Sequence, residues 1–292
     1  LKSGFISIIG RPNVGKSTLL NAILGEKVAI TTDKPQTTRN TIRGIYTDED
    51  AQLVFIDTPG IHRPRTKLGS FMTDTALRTL DEVDLILFIV DNTPTAGPGD
   101  KYIMDLLAQV DTPVFLLINK IDLIGPDQYK AMFEGYEQTG IFKEIIGISA
   151  LEQKNVEALL QKLKDSIEEG PMYFPADMVT DHPERFLVGE IIREKLLKFL
   201  EDEIPHGVAV EIEAYEEKPG ITNISAVIYC EKKSHKGMII GKEGRKLKGV
   251  GKSAREDIEG LLGTKVFLQL WVKVKENWRD SDTALSGFGY KD

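Results

Sequence analysis

Through the first 170 residues, short and continuously apolar runs alternate with stretches whose apolar positions recur at helical spacing. Residues 5–9 read as a buried strand and 16–24 as a helix, while 41–47 and 52–56 read as two strands around the Asp48-Glu49-Asp50 turn. Residues 85–90, 114–119 and 144–148 are further strands, separated by helical patterns near 70–80, 101–109, 128–136 and 156–167. Continuous apolar runs between helices predict an α/β domain with a mostly parallel sheet covered on both faces.

Gly170, at a helix end, is followed by Pro171, Pro175 and Pro183, which mark 171–184 as a semi-rigid linker. Beyond it the pattern changes. Residues 185–200 carry Leu187, Val188, Ile191, Ile192, Leu196 and Phe199 at helical spacing, and 208–215 and 223–230 read as strands about a Pro219-Gly220 turn. A short helix near 235–240, a glycine loop, a helix over 245–262 and a strand over 265–274 complete an α-β-β-α-α-β order with a helical tail. The expected organisation is a first domain over 1–170, the linker, and an α+β domain over 185–292.

Composition supports two cores. A chain of 292 residues with 41% hydrophobic and 28% charged residues is ordinary for a folded protein of two domains. No apolar run is long enough to span a bilayer, and no export-signal pattern is visible. The lone cysteine, Cys230, excludes an intramolecular disulfide and a Cys-rich zinc site, so a reducing cytoplasm is the natural expectation. The net charge of −8 argues against an indiscriminate polyanion binder. It hides a cluster: residues 232–255 hold nine Lys and Arg against one acid, Glu243. Such a local field attracts phosphate backbones, although a solvated lysine face has the same composition.

The chemistry begins at Gly10-Arg11-Pro12-Asn13-Val14-Gly15-Lys16-Ser17, with Thr18 next, at a strand-to-helix junction. The glycines let backbone N–H groups curl around phosphate oxygens at a helix N-terminus. Lys16 is expected on the β- and γ-phosphates and the Ser17 hydroxyl on Mg²⁺. This loop alone admits an ATPase, a kinase or a GTPase. Asp57-Thr58-Pro59-Gly60 ends another strand, where the carboxylate can hold Mg²⁺ through water and the Gly60 N–H can contact a γ-phosphate. Asn119-Lys120-Ile121-Asp122 ends a third. A buried Asp122 accepts from N1–H and the exocyclic amine of guanine and is left unpaired against adenine. Ile148-Ser149-Ala150 ends a fourth and offers a backbone N–H to guanine O6. All four lie at C-terminal strand ends, where open α/β sheets bind ligands. Guanine nucleotide, GTP or GDP, is the expected ligand.

With these motifs the chain resembles the Era family of bacterial ribosome-assembly GTPases over nearly its whole length. The segments that carry the resemblance are Gly10 to Leu19, Pro35-Gln36-Thr37-Thr38-Arg39, Asp57 to His62 and the C-terminal domain. The resemblance implies a first switch over 27–44 with Thr38 as Mg²⁺ and γ-phosphate sensor, Thr37 being the open alternative. It also implies a second switch over 61–80. Ile61 stands where Ras-like proteins keep a water-orienting Gln, so it should point away and unassisted hydrolysis should be slow. Asn13 resembles the P-loop Asn of relatives that use K⁺, which makes a modest K⁺ stimulation an expectation. His62 reads as a surface switch residue rather than a base.

In the second domain, Ile239-Ile240-Gly241-Lys242-Glu243-Gly244-Arg245 places a Gly-x-x-Gly loop between two helices. The element order is that of a type II KH fold, whose loop clamps RNA backbone. Lys242, Arg245, Lys246 and Lys248 are the expected phosphate contacts, Glu243 lowers the loop's charge, and Ile239 and Ile240 are each either core or a base contact. Trp278 and Phe288 read as packing residues. The resemblance further implies the 3′ end of small-subunit ribosomal RNA as ligand, a role in rRNA processing and 30S assembly, a monomer, and an open question of peripheral contact with the inner membrane face. The alternative reading is a GTPase whose basic domain docks to a protein or a membrane.

Overall fold

The computed structural model describes residues 1–290. The chain divides into two units: Leu1–Thr31, Thr38–Pro64 and Met72–Asp181 form the first, and Thr32–Thr37, Arg65–Phe71 and the chain from His182 onward form the second.

The first unit carries a six-stranded sheet of β1 (Lys2–Gly10), β2 (Ile42–Thr47), β3 (Ala51–Asp57), β4 (Leu85–Val90), β5 (Val114–Ile118) and β6 (Glu144–Gly147), in the order β2-β3-β1-β4-β5-β6. Only β2 runs antiparallel to its neighbour. Its helices are α1 (Lys16–Leu24), α2 (Lys67–Arg78), α3 (Pro98–Leu107), α4 (Pro126–Glu137) and α5 (Val156–Ser166), with the first residues of α2 grouped in the second unit. The five parallel strands point the same way, so Gly10, Asp57, Ile118 and Gly147 end at one edge of the sheet. Every residue of β4 and β5 is buried, which is why both read as unbroken apolar runs.

Local bonds explain where the observed boundaries differ from the expected ones. Asn119 leaves β5 because the next residue, Lys120, takes a left-handed backbone with φ of 63°. β6 stops at Gly147, whose carbonyl accepts from Asn155 Nδ2 at 2.7 Å. β1 begins three residues earlier than its apolar run, since Lys2 N–H donates to Asp50 O at 2.8 Å and pairing with β3 extends over polar Lys2 and Ser3. The proline-rich stretch up to Asp181 packs with the first unit. Ile45 N–H donates to Val179 O at 2.8 Å, and buried Gln52 accepts from the N–H groups of Tyr173 and Phe174. This covers the otherwise open edge of β2.

The second unit comprises α6 (Glu184–Phe199), β7 (Ala209–Lys218), β8 (Ile221–Cys230), α7 (Lys233–Ile240), α8 (Arg245–Leu262), β9 (Lys265–Val274) and α9 (Asp282–Gly287). Its sheet has the order β7-β8-β9, with β7 antiparallel and β9 parallel to β8. Ile191, Ile192 and Leu196 of α6 and Val250, Ala254 and Ile258 of α8 share one core with Ile224, Ala226 and Ile228 of β8. Trp278 is fully buried, donates from Nε1 to Gly207 O at 2.8 Å, and meets Phe288 edge-on at 5.3 Å between ring centroids. It is a packing residue. Among the described residues no helix is long and apolar enough to cross a membrane. Trp278→Ala removes a buried ring and a buried hydrogen bond, and we expect a loss of about 3–5 kcal/mol in urea unfolding of the second unit.

Candidate functional site

The phosphate loop holds its shape through backbone conformations that few residues tolerate. Gly15 has φ of 106°, and a Cβ there would lie 2.2 Å from Asn119 Nδ2, so only glycine fits. Asn13 also takes a left-handed conformation, with φ of 64°. Two neighbours pin the loop: Asn119 Nδ2 donates to Val14 O at 2.8 Å and Lys120 Nζ to Asn13 O at 3.1 Å. Lys16 is buried and donates to Arg11 O at 2.7 Å and to Gly10 O at 3.3 Å. Burial lowers its pKa to about 8, with Asp57 opposing that shift and Arg11 adding to it. The group is still an ammonium at neutral pH, parked on carbonyls that a phosphate oxygen outcompetes. The Arg11 side chain lies elsewhere: its guanidinium pairs with Asp100 and Asp91, so residue 11 offers only backbone to a phosphate. Pro12 has no N–H to give, and Val14 is fully buried.

Beside the loop, Ser17 Oγ donates to Asp57 Oδ2 at 2.6 Å and lies 3.0 Å from Thr38 Oγ1. Asp57 is wholly buried, and its Oδ1 has no hydrogen-bond partner. Burial pushes its pKa up to about 6 against the pull of the Ser17 hydroxyl, Lys16 and the Thr58 backbone. A buried carboxylate with an orphaned oxygen and two hydroxyls alongside is a donor set for a hard divalent cation. The geometry brings Thr38 here and not Thr37, whose hydroxyl donates to Lys34 O at 2.6 Å within its own loop. Thr58 Oγ1 donates to Ile8 O, and the Ile61 N–H to Gly10 O at 3.0 Å. The Ile61 side chain is 1% exposed, in the core with Ile9 and Ala76. His62 Nδ1 sits 3.1 Å from Arg63 O, a local contact.

At the base end, Asn119 and Ser149 are buried, and Ala150 N–H donates to Asn119 Oδ1 at 3.0 Å. Ser149 N–H donates to Lys154 O at 3.1 Å. Both N–H groups considered for guanine O6 are thus already paired with protein acceptors. Asp122 is exposed, which corrects the expectation of a buried acid. It lies on the short turn Ile121–Leu123, none of whose residues is buried.

In the second unit, Gly241 has φ of 73° and closes against Lys246, whose Cβ would be 2.7 Å from a Cβ at 241. Lys242, Glu243, Arg245 and Lys248 are exposed, while Lys246 and Ile240 are half-buried and Ile239 belongs to the core. Glu243 accepts from Arg245 at 2.7 Å, so Arg245 is partly neutralised inside the loop. Next to it α8 and the edge strand β9 form a groove of about 820 Å³ with an apolar floor that includes Leu247, Leu268 and Leu270. Its rim adds Lys252, Arg255 and Phe267, which the sequence reading did not single out. The spacing of Arg245, Lys248, Lys252 and Arg255 along one helix face was the available signal. Phe267, 53% exposed, is a ring that a base can stack on.

Comparison with known proteins agrees with both halves. Residues 5–120 match the family described as 50S ribosome-binding GTPase, and residues 203–279 match the KH domain family. The chain is 60% identical over 291 residues to GTPase Era of Alkaliphilus oremlandii, covering 99% of each, and 58% identical over 294 residues to GTPase Era of Clostridioides difficile, covering 100% of this chain and 99% of the other. Two solved structures share 39% identity at a TM-score of 0.96 with full coverage of both chains. One is Era with MgGDPNP and nucleotides 1506–1542 of 16S ribosomal RNA, and the other is a single-residue variant of Aquifex aeolicus Era bound to GDP·AlF4⁻.

The raised pKa of Asp57 gives a signed test. As pH falls through about 6 the proton occupies the carboxylate and competes with a cation. The enhancement of fluorescent-GDP affinity by Mg²⁺ is expected to fade between pH 7 and 5, and to be absent throughout in Asp57→Asn.

Proposed function

The chain belongs to the Era GTPases, and on that premise we propose that it binds the 3′ end of 16S ribosomal RNA under GTP control and assists rRNA processing and 30S assembly. It is a GTPase with a P-loop domain and a C-terminal KH domain. One observation carries the RNA reading: the full-length likeness to an Era that holds nucleotides 1506–1542 of 16S ribosomal RNA, together with a basic-rimmed groove beside Gly241–Gly244. The buried free thiol of Cys230 and the ribosomal ligand both fit the cytoplasm.

In this reading the P-loop backbone and Lys16 grip the β- and γ-phosphates. Ser17, Thr38 and Asp57 would hold Mg²⁺, which when bound neutralises charge on the phosphate oxygens. Asp122 pairs with N1–H and the amine of guanine, and Asn119 sets the distance between base and phosphate ends. With Ile61 buried, no side chain at that position orients water, so intrinsic turnover is slow. Asn13 is the residue that would hold K⁺, which would supply part of the missing charge. At the RNA end, Lys242, Lys246, Lys248, Lys252 and Arg255 hold phosphates while the apolar floor takes bases.

Coupling between the activities is supported by how the switches are built. Segments 32–37 and 65–71 group with the second unit. There, buried Arg193 pairs with Glu190 and donates to the carbonyls of Gln36 and Thr37, and the next residue along the chain is Thr38. A change at Thr38 on GTP binding therefore pulls directly on this segment, and by linkage RNA and GTP alter each other's affinity by one factor.

Binding of an oligonucleotide with the 16S 3′-end sequence is expected to weaken steeply with salt and to fall at least tenfold in Gly241→Asp/Gly244→Asp, with GTP affinity unchanged. Unaltered RNA binding by that variant, or liposome binding without RNA binding, overturns the RNA reading. RNA affinity is expected to differ between GDP and a non-hydrolysable GTP analogue, and turnover to be modestly higher in KCl than in NaCl.

A further inference from the structure

The motif chemistry leaves one buried acid beside the phosphate loop without a role. Asp100, in the first turn of α3, is 1% exposed. Its Oδ1 accepts from Arg11 Nε at 2.7 Å, and its Oδ2 accepts from the Gly97 N–H at 3.3 Å. Asp91, just after β4, adds a second carboxylate at 3.3 Å from the same guanidinium. Arg11 is the second residue of the loop, and its carbonyl accepts the Lys16 ammonium.

We propose that Asp100 is a positioning residue for nucleotide binding, acting through Arg11 to hold the first arm of the phosphate loop in its binding conformation. The loop needs such a brace. Asn13 and Gly15 both sit at positive φ, and a left-handed non-glycine residue persists only where its surroundings over-determine it. The second arm is held by Asn119 on Val14 O and Lys120 on Asn13 O, both from the guanine motif. The first arm has the Ile61 N–H on Gly10 O and the Arg11 guanidinium. Asp100 suits the task because its position is set twice, by helix α3 at whose N-terminus an acid is favoured and by the Gly97 N–H. Gly99 leaves room for the Arg11 chain: a Cβ at 99 would lie 2.7 Å from Arg11 Cδ and 3.2 Å from Cγ. Because the brace bears on the loop and not on the γ-phosphate, it stabilises GDP and GTP complexes alike and leaves the chemical step untouched.

The inference rests on the reading of residues 10–17 as the phosphate site. Wild-type protein that fails to bind either nucleotide sinks that reading, whereas the variants below address only the brace. In stopped-flow release of fluorescent GDP from the full chain, Asp100→Asn and Arg11→Met are each expected to speed dissociation about tenfold, and their combination no further. Affinity for a GTP analogue should fall by the same factor as affinity for GDP, and Arg11→Lys should be intermediate. Gly99→Ala displaces Arg11 without altering any charge and should reproduce the faster release, which keeps the test open if Asp100→Asn does not fold. Release within twofold of wild type in Gly99→Ala and in whichever of the other two variants folds overturns the proposal. So does multiplicative behaviour of the double variant, or a GTP-selective loss.

Discussion

One carboxamide holds the nucleotide site together. Asn119 donates to Val14 O, accepts from Ala150 N–H, and lies so close to Gly15 that no other residue fits there. Through its amide nitrogen and oxygen, this single side chain ties the phosphate loop to the segments at 119–122 and 148–150. Being buried, neither group can be lost without leaving its partner unsatisfied, a cost of roughly 1–3 kcal/mol each. That penalty enforces a fixed span between the phosphate loop and the segments at 119–122 and 148–150. The parallel strands supply the platform, since β1, β5 and β6 deliver their C-terminal ends side by side.

Much of this was legible in the sequence because the decisive features are local. A glycine forced into a left-handed turn, an apolar run of strand length and a basic segment all announce themselves within a few residues. Helix α1 and strand β4 have the extents their patterns predict. What stayed hidden depends on partners remote along the chain. Arg11 looks like a phosphate ligand until Asp100 is folded against it. Thr37 and Thr38 are equivalent as letters, and only the path of their loop sends one hydroxyl to Lys34 and the other to Ser17. Gln52 is an unremarkable polar residue in a strand, yet it receives the chain 121 residues later. Phe267 required knowing that β9 is an edge strand and which of its faces meets α8.

At the proposed RNA end, charge and shape divide their labour. The basic stretch contrasts with a chain that is acidic as a whole, so attraction of a polyanion is confined to one locality and is screened within about 10 Å at moderate salt. Glu243 trims that field at its centre by engaging Arg245. With RNA in this groove as proposed, a weaker field at the loop would shift discrimination toward the apolar floor and the Phe267 ring, which would sense bases rather than phosphates.

The exposure of Asp122 carries a consequence for how the ligand is chosen. On the proposed reading the cradle for the tail is assembled in advance, whereas Asp122, the acid that would recognise the ring, stands exposed to water. Docking and proofreading would then be separate events. Any purine triphosphate would land, but adenine would strip water from a carboxylate and return nothing, and so would depart early. Selectivity in such a pocket is written in residence time rather than in the frequency of encounters.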